Sequence, residues 1–495
     1  MKQWMDTFDA LLTKPIVKLL VVFAMLMVGF FNALPHMHEA IWQDEAATLF
    51  FHASRGIVAP FLHYMSPNNH IAFSSMLAAW MKLFPGGLDV FTLRLLPTLL
   101  FLAAIPITFF AALRLGGPLC ALLATLAFSL SAVTANFATQ LRGYGPSWLF
   151  LSMLLLTGLH IFANKRSLRW KIGYSLCCFV AVALLPTNVF FACAMAFSLA
   201  IYHLGSGVKA DRSNAAGYVL LLVAPAASLV LAYGLVWKEL MSFKDVGFST
   251  WQLSGLASEW LSGTWASFGW LLLFVGGGLA VGIKELGRSI GAKKLLAPPE
   301  FVFAVLLIIT FGIAVAAIPQ VPFPRTLVPF LPIWLITLAS IMSFGVRALA
   351  TKGAFVTFGV GALLFLAPAW AAPSISDCRN FRPSTDAFEY GLCHQYFRAR
   401  YFPVRVLNAW AELTPTGLPI VSDFEGYFAL QALRSGAQIY EYRNFQLSGH
   451  LPPLIVANGR EQLKKICNHL GLDPSSYALV ADTGYFKLYG PAKAP

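Results

Sequence analysis

The chain has 495 residues, of which 58% are hydrophobic and only 12% charged, against about 25% charged in an ordinary globular domain. With a mean hydropathy of +0.68, that composition excludes a soluble globular enzyme and describes a polytopic α-helical membrane protein. Nor does the net charge of +13 mark a nucleic-acid binder. Residues 1–372 hold 23 Lys and Arg against 12 Asp and Glu, whereas residues 373–495 hold 12 against 10, so the excess belongs to membrane loops, where cations set orientation.

Lys14 and Lys18 lead into the apolar run Leu19–Leu34, which is long enough to span and is followed by no small-residue cleavage site; this reads as a retained signal anchor. Further apolar runs lie near 93–113, 117–136, 145–163, 171–186, 188–204, 215–236, 266–283, 300–318, 327–345 and 353–372, about eleven spans in all when the anchor at 15–35 is included. Ile71–Phe84 is too short to span and is bounded by Asn68-Asn69-His70 and Pro85-Gly86-Gly87, so it reads as a re-entrant or interfacial helix. With that segment excluded and the N-terminus cytoplasmic, the inward segments hold 16 of the 23 cations of the membrane part, among them Arg114, Arg169 and Lys171. The outward segments keep only Arg55, Lys82, Arg94, Arg142, Lys238, Lys244 and Arg325. This asymmetry places the C-terminal tail outside the cytoplasm and the protein in the inner membrane. The outward segment 237–265, with Trp237, Trp251 and Trp260, suits a lid at headgroup depth.

Residues 1–372 therefore form one membrane domain, with its first outer loop at 36–92, and residues 373–495 a soluble α/β domain. In the tail, Leu418–Ser422, Gln438–Tyr442, Pro453–Ala457, Tyr477–Val480 and Gly484–Leu488 pattern as strands, and Gly426–Gly436 and Glu461–Leu470 as helices, an alternation that favours a small sheet covered by helices. Cys378 and Cys393 are placed to close a loop as a disulfide in an oxidising compartment, leaving Cys467 buried and free. No cysteine spacing resembles a zinc motif.

Carboxylates are scarce in the membrane part, and that makes them informative. Between Glu39 and Asp89 the only acids are Asp44 and Glu45, in Trp42-Gln43-Asp44-Glu45-Ala46, and between Asp89 and Asp211 there are none. Either acid could serve the first turn of a helix beginning at Ala46, but a helix start does not require two. Arg142, in Gln140-Leu141-Arg142-Gly143-Tyr144, is the only charge between Arg114 and Lys165; it is either a snorkelling cation or a planar donor for a phosphate. Arg325, stiffened by Pro322, Pro324 and Pro329, poses the same choice, as does Arg94 in Arg94-Leu95-Leu96-Pro97. His70, next to Asn69, is a candidate for acceptor or metal contact. The other loop histidines show no ligand spacing, so no cofactor is assigned and a divalent metal stays open.

Taken in order, the outward Asp44-Glu45, Arg94-Leu95-Leu96-Pro97, Arg142-Gly143-Tyr144, and Arg325 with Pro329 and Pro332 resemble the GT-C superfamily of glycosyltransferases, in particular the protein O-mannosyltransferase and aminoarabinose lipid A transferase group. The resemblance covers most of residues 1–345. It implies transfer of a sugar from a polyprenyl-phosphate donor to a glycan, lipid or protein acceptor on the outer face, with inversion. Asp44 would then be the general base and Glu45 its orienter, while Arg142, Arg325, Arg94 and Tyr144 would hold the donor phosphate. Two departures stand out. Pro67-Asn68-Asn69-His70 replaces the group's His-Pro-Pro stretch, and residues 373–495 lack a Trp-Trp-Asp motif. Two other readings, a flippase of lipid-linked sugars and a non-catalytic assembly subunit, also need outward cations or a partner-binding tail; charges at span ends rather than at the bilayer midplane disfavour the first.

Overall fold

The computed structural model describes residues 7, 9–12, 14–38, 43–64, 69–84, 90–164, 167–205, 212–242, 299–316, 328–350, 419–422, 439–442, 445, 453–457, 459–482 and 487–492. Its helices are α1 (Pro15–Ala33), α2 (Gln43–Ala47), α3 (Ile71–Leu83), α4 (Val90–Leu130), α5 (Ala132–Ala138), α6 (Tyr144–Ala163), α7 (Leu168–Leu184), α8 (Asn188–Gly205), α9 (Arg212–Tyr233), α10 (Pro299–Ala316) and α11 (Leu331–Ala350). Among the described residues four helical stretches, Pro15–His38, Val90–Leu130, Tyr144–Ala163 and Gly217–Ser242, are long and apolar enough to cross a membrane. Every expected apolar run within the described residues coincides with a helix; those at 266–283 and 353–372 lie outside them, as do Trp251, Trp260, Arg325, Cys378, Cys393 and the segment Gly426–Gly436.

The runs at 93–113 and 117–136 appear as the long α4, broken at Gly117, whose φ of 80° is open to glycine and costly for residues with a Cβ. Pro118 follows and removes a backbone donor at the same point. Proline at the first position of α1 starts that helix where its missing N–H costs nothing. Ile16, Leu19, Leu20 and Phe23 of α1 and Val230 and Leu231 of α9 remain exposed, an apolar surface suited to lipid rather than water.

The interior is closed by a few large rings. Trp148 of α6 packs edge-on against Phe101 and Phe128 of α4, with ring centroids 5.8 and 5.4 Å away, and its indole N–H donates to the Val328 carbonyl at 2.8 Å, tying α6 to the turn that opens α11. Polar contacts then fix the helices against one another: Thr108 with Ser152 at 3.1 Å, the Tyr174 hydroxyl donating to Ala192 at 2.7 Å, and Asn188 donating to both Ser147 and Ala181. Contacts of this kind between apolar helices are worth roughly 0.6–2 kcal/mol each. As expected of a non-spanning segment, α3 has 13 residues, and its first half is buried.

In the tail, β1 (Ile420–Ser422), β2 (Ile439–Glu441), β3 (Leu454–Ala457), β4 (Tyr477–Asp482) and β5 (Lys487–Pro491) form one sheet in the order β2-β1-β3-β5-β4. The first three strands are parallel, and β5 is antiparallel to both β3 and β4. The amphipathic helix α12 (Arg460–Leu470) turns Leu463, Ile466 and Cys467 onto Val421, Ile455 and Tyr489. Cys467 is buried and free. Of the expected strand Gly484–Leu488, Lys487 and Leu488 are described and lie in β5, whose register is set by pairing of Tyr489 with Ile455 and Lys487 with Ala457; residues 484–486 lie outside the described residues.

Candidate active site

Of the candidate residues, Asp44, Glu45, Asn69, His70, Arg94, Arg142 and Tyr144 lie where residues 43–70 meet the start of α4, the start of α6 and the end of α7. Asp44 and Glu45 lie in the short helix α2, and both are buried. Immediately after it, Thr48–His52 winds as a π-helical turn, a local widening often found at functional sites. The Thr48 hydroxyl donates to the Asp44 carbonyl at 3.0 Å, which holds the acid pair at the start of that turn.

Each acid meets its own arginine. Arg142 donates through Nη1 to Asp44 Oδ2 at 2.5 Å. Arg94 donates through Nη2 to Glu45 Oε2 at 2.9 Å, and its Nη1 reaches the carbonyls of His36 and Thr139 at 3.4 and 3.3 Å. The other Glu45 oxygen accepts the Leu141 N–H at 2.7 Å. Glu45 therefore anchors the turn that carries Arg142, and so acts on Asp44 through Arg142 rather than by direct contact. Arg94, a candidate for the donor phosphate, is 0% exposed and pairs with Glu45 in the structure. A buried guanidinium costs several kcal/mol to desolvate unless a carboxylate faces it, and the four charges here sum to zero.

His70 completes the arrangement. Its Nδ1 lies 3.1 Å from the Leu184 carbonyl, which can only accept, so Nδ1 carries the proton. Nε2 then offers its lone pair to Arg142 Nε at 3.0 Å. The imidazole is a neutral strut that turns the guanidinium toward Asp44, and both of its nitrogens are engaged. Among the described residues no three His, Cys, Asp or Glu side chains gather as a metal site. Asn69 faces the loop itself, donating to the Pro60 and His63 carbonyls and accepting from Ser74. Tyr144 places its ring 5.1 Å from the Arg142 guanidinium. Gly143 allows this close approach: a Cβ there would stand 2.7 Å from the Leu184 carbonyl and 3.1 Å from His70 Nδ1.

Burial pushes the His70 imidazole well below its usual range, and the Arg142 charge adds to this. For Arg142, burial favours losing the proton, but Tyr144, Asp44 and Glu45 outweigh it and keep the guanidinium charged. His52 falls from 6.5 to about 4, through burial and then Arg55. Both imidazoles are held neutral in the fold, whereas the unfolded chain protonates them below 6.5. The share of His52 in the stability is complete above pH 6.5 and is lost as the pH falls through about 4, and that of His70 has the same sign, lost as the pH falls below 6.5 toward its lowered value. Melting curves are expected to show the thermal midpoint falling over that window, and His70→Gln and His52→Gln should each flatten the fall.

Reading the sequence missed the supports: Thr48, the Leu141 N–H, Thr139, and above all the Leu184 carbonyl, 114 residues from His70. The break after Leu184 at Leu185-Pro186 was the only trace of the last. Arg325 lies outside the described residues; Val328, three positions on, is the residue held by Trp148.

No protein-family model matches the chain, and no curated protein matches it by sequence. Among solved structures it is similar to ArnT from Cupriavidus metallidurans. The apo form is 15% identical, with 95% of this chain and 97% of that one covered and a TM-score of 0.52. The form bound to undecaprenyl phosphate is 17% identical over the same shares, with a TM-score of 0.54. The Archaeoglobus fulgidus oligosaccharyltransferase in the apo form is 12% identical over 92% of this chain and 68% of that one, at a TM-score of 0.49. This chain shares the fold of ArnT.

Proposed function

We propose that the chain is an integral membrane glycosyltransferase that moves a sugar from a polyprenyl-phosphate donor to an acceptor hydroxyl or amine at the extracytoplasmic face. The single observation carrying this reading is the buried Asp44–Arg142 pair, steered by His70 and braced by Glu45–Arg94. The donor class follows from the fold shared with ArnT, whose structure holds undecaprenyl phosphate.

In this reading the resting pair is a latch. Arg142, already charged and oriented, shifts toward the donor phosphate when it arrives, with Tyr144 beneath it and Arg325 as a second cation. Asp44 is released and accepts the proton of the acceptor as the acceptor oxygen or nitrogen bonds to the anomeric carbon. The bond from that carbon to the phosphate oxygen breaks, and polyprenyl phosphate leaves with its charge held by the arginines; a single displacement inverts the centre. Stabilising the charge that develops on the leaving group is commonly the largest contribution to such a step. Arg94 and Glu45 take no part in the chemistry and keep the Arg142 turn in place.

The test is turnover by the purified protein in lipid, supplied with labelled polyprenyl-phosphate sugar and a panel of envelope acceptors. Formation of glycosylated acceptor together with an equal amount of free polyprenyl phosphate is expected. Movement of intact donor between leaflets with no release of the phosphate carrier would instead identify a flippase and overturn the proposal.

A further inference from the structure

At the far end of α7 from the acid pair lies a second group of cations with no role in transfer. Lys171 stands in the first turn of α7, thirteen residues before Leu184, about 20 Å away along the helix axis at 1.5 Å per residue. It is only 2% exposed, yet among the described residues its ammonium meets no carboxylate and makes no side-chain hydrogen bond. It faces the Tyr218 ring, 5.3 Å from the centroid, and lies where a side chain at Gly217 would be, 2.2 Å from a Cβ placed there. Helical side chains lean toward the helix start, so the ammonium leans back toward the first turn of α7.

That first turn is itself unsatisfied. Ser167 makes no side-chain cap, and no acid stands in the turn; it carries Arg169 and Lys171 instead. Cations at the positive end of a helix are the unfavourable arrangement, and a buried cation that meets no carboxylate among the described residues adds a further cost. Beside it, His160 at the end of α6 stacks on Trp170 with centroids 3.9 Å apart and planes 9° apart, and the Arg169 guanidinium lies 5.4 Å from the same indole. Arg114 is within electrostatic reach of His160. Leu168, Ile172 and Leu176, at successive i, i+4 positions of α7, are exposed and form an apolar track running away from the cations.

We infer that the α6–α7 end of the bundle binds the phosphodiester headgroup of an anionic phospholipid. Lys171, Arg169 and the free amides of the first turn of α7 contact the phosphate, and Trp170 and Tyr218 lie at headgroup level. The track Leu168–Ile172–Leu176 receives an acyl chain, which is what separates a lipid from a soluble anion as the occupant. The charge asymmetry of the loops puts this end at the cytoplasmic leaflet, where anionic lipids attract basic groups.

The full-length protein in neutral detergent is titrated with short-chain phosphatidylglycerol, with phosphatidylcholine of the same chains and with inorganic phosphate, following the thermal midpoint. Phosphatidylglycerol is expected to raise the midpoint saturably, and phosphatidylcholine and phosphate to leave it nearly unchanged. Lys171→Gln should weaken the response at least about fivefold, the factor for losing one basic group at an anionic surface, while Lys171→Arg retains it. Arg169 is exposed, so Arg169→Gln gives an independent reading if the Lys171→Gln protein does not fold. Equal responses to the two lipids, or an unchanged phosphatidylglycerol response in Arg169→Gln and Lys171→Gln, overturn the site. An equal response to inorganic phosphate overturns the lipid as its occupant.

Discussion

Asp44→Asn is expected to lower turnover by about 10²–10⁴, the usual worth of a positioned general base, while leaving binding of the polyprenyl-phosphate donor intact or tightened. The two effects separate because Asp44 has two partners at different stages. In the structure its carboxylate holds Arg142 at 2.5 Å; in the proposed transfer it takes a proton. An asparagine still accepts a hydrogen bond from Arg142 but cannot take that proton, and its neutral amide competes less with an incoming phosphate for the guanidinium. Single-turnover kinetics and equilibrium binding of the lipid phosphate, measured on the same preparation, test both halves. Weakened donor binding with normal turnover would show that Asp44 serves only to place Arg142, and the assignment as base would then fall.

The second large effect concerns stability. Glu45 and Arg94 are both 0% exposed, and removing one member of a buried pair strands the other charge at a cost of about 3–5 kcal/mol. Glu45→Gln keeps an oxygen for the Leu141 N–H and so isolates the loss of charge opposite Arg94. Arg94→Met leaves the Glu45 carboxylate without its guanidinium. Each single variant should melt far below the parent protein, and the double variant, with neither charge of this pair left, should recover most of the difference. A double-mutant cycle on thermal unfolding measures this coupling directly. Additive losses would mean that the pair contributes separately through its other partners, Thr139, His36 and Leu141, rather than as an ion pair.

Much of the fold is legible because the bilayer allows so few solutions. Backbone groups in lipid must be satisfied within the segment, so runs such as 145–163 and 215–236 have to be helices, and the scarcity of charge inside them makes Asp44, Glu45 and Arg142 conspicuous. The tail was readable for a different reason: Leu454–Ala457 is a short apolar strand, and Arg460–Leu470 carries a helical apolar stripe that ends at Gly471 in a left-handed cap.

Which residue faces which was not legible. Arg94 and Arg142 are similar on paper, each an isolated outward arginine near the end of a span, and both were expected at the phosphate. Their fates diverge through long-range contacts: 49 residues separate Arg94 from Glu45, and 98 separate Arg142 from Asp44. His70 looked like a loop histidine open to an acceptor or a metal until the Leu184 carbonyl placed its proton and Arg142 occupied its remaining nitrogen. Lys171 counted only as one more inward cation; its burial against Tyr218 appears when α7 and α9 are packed.

Local chemistry alone therefore determined that this chain lives in a membrane and where its described helices run, since hydropathy and charge are properties of each residue type. Tertiary structure decided that each acid is paired with its own arginine and that the imidazole beside Arg142 is held neutral. The energy of a buried charge depends on what stands within a few ångströms, and packing brings those neighbours from distant parts of the chain.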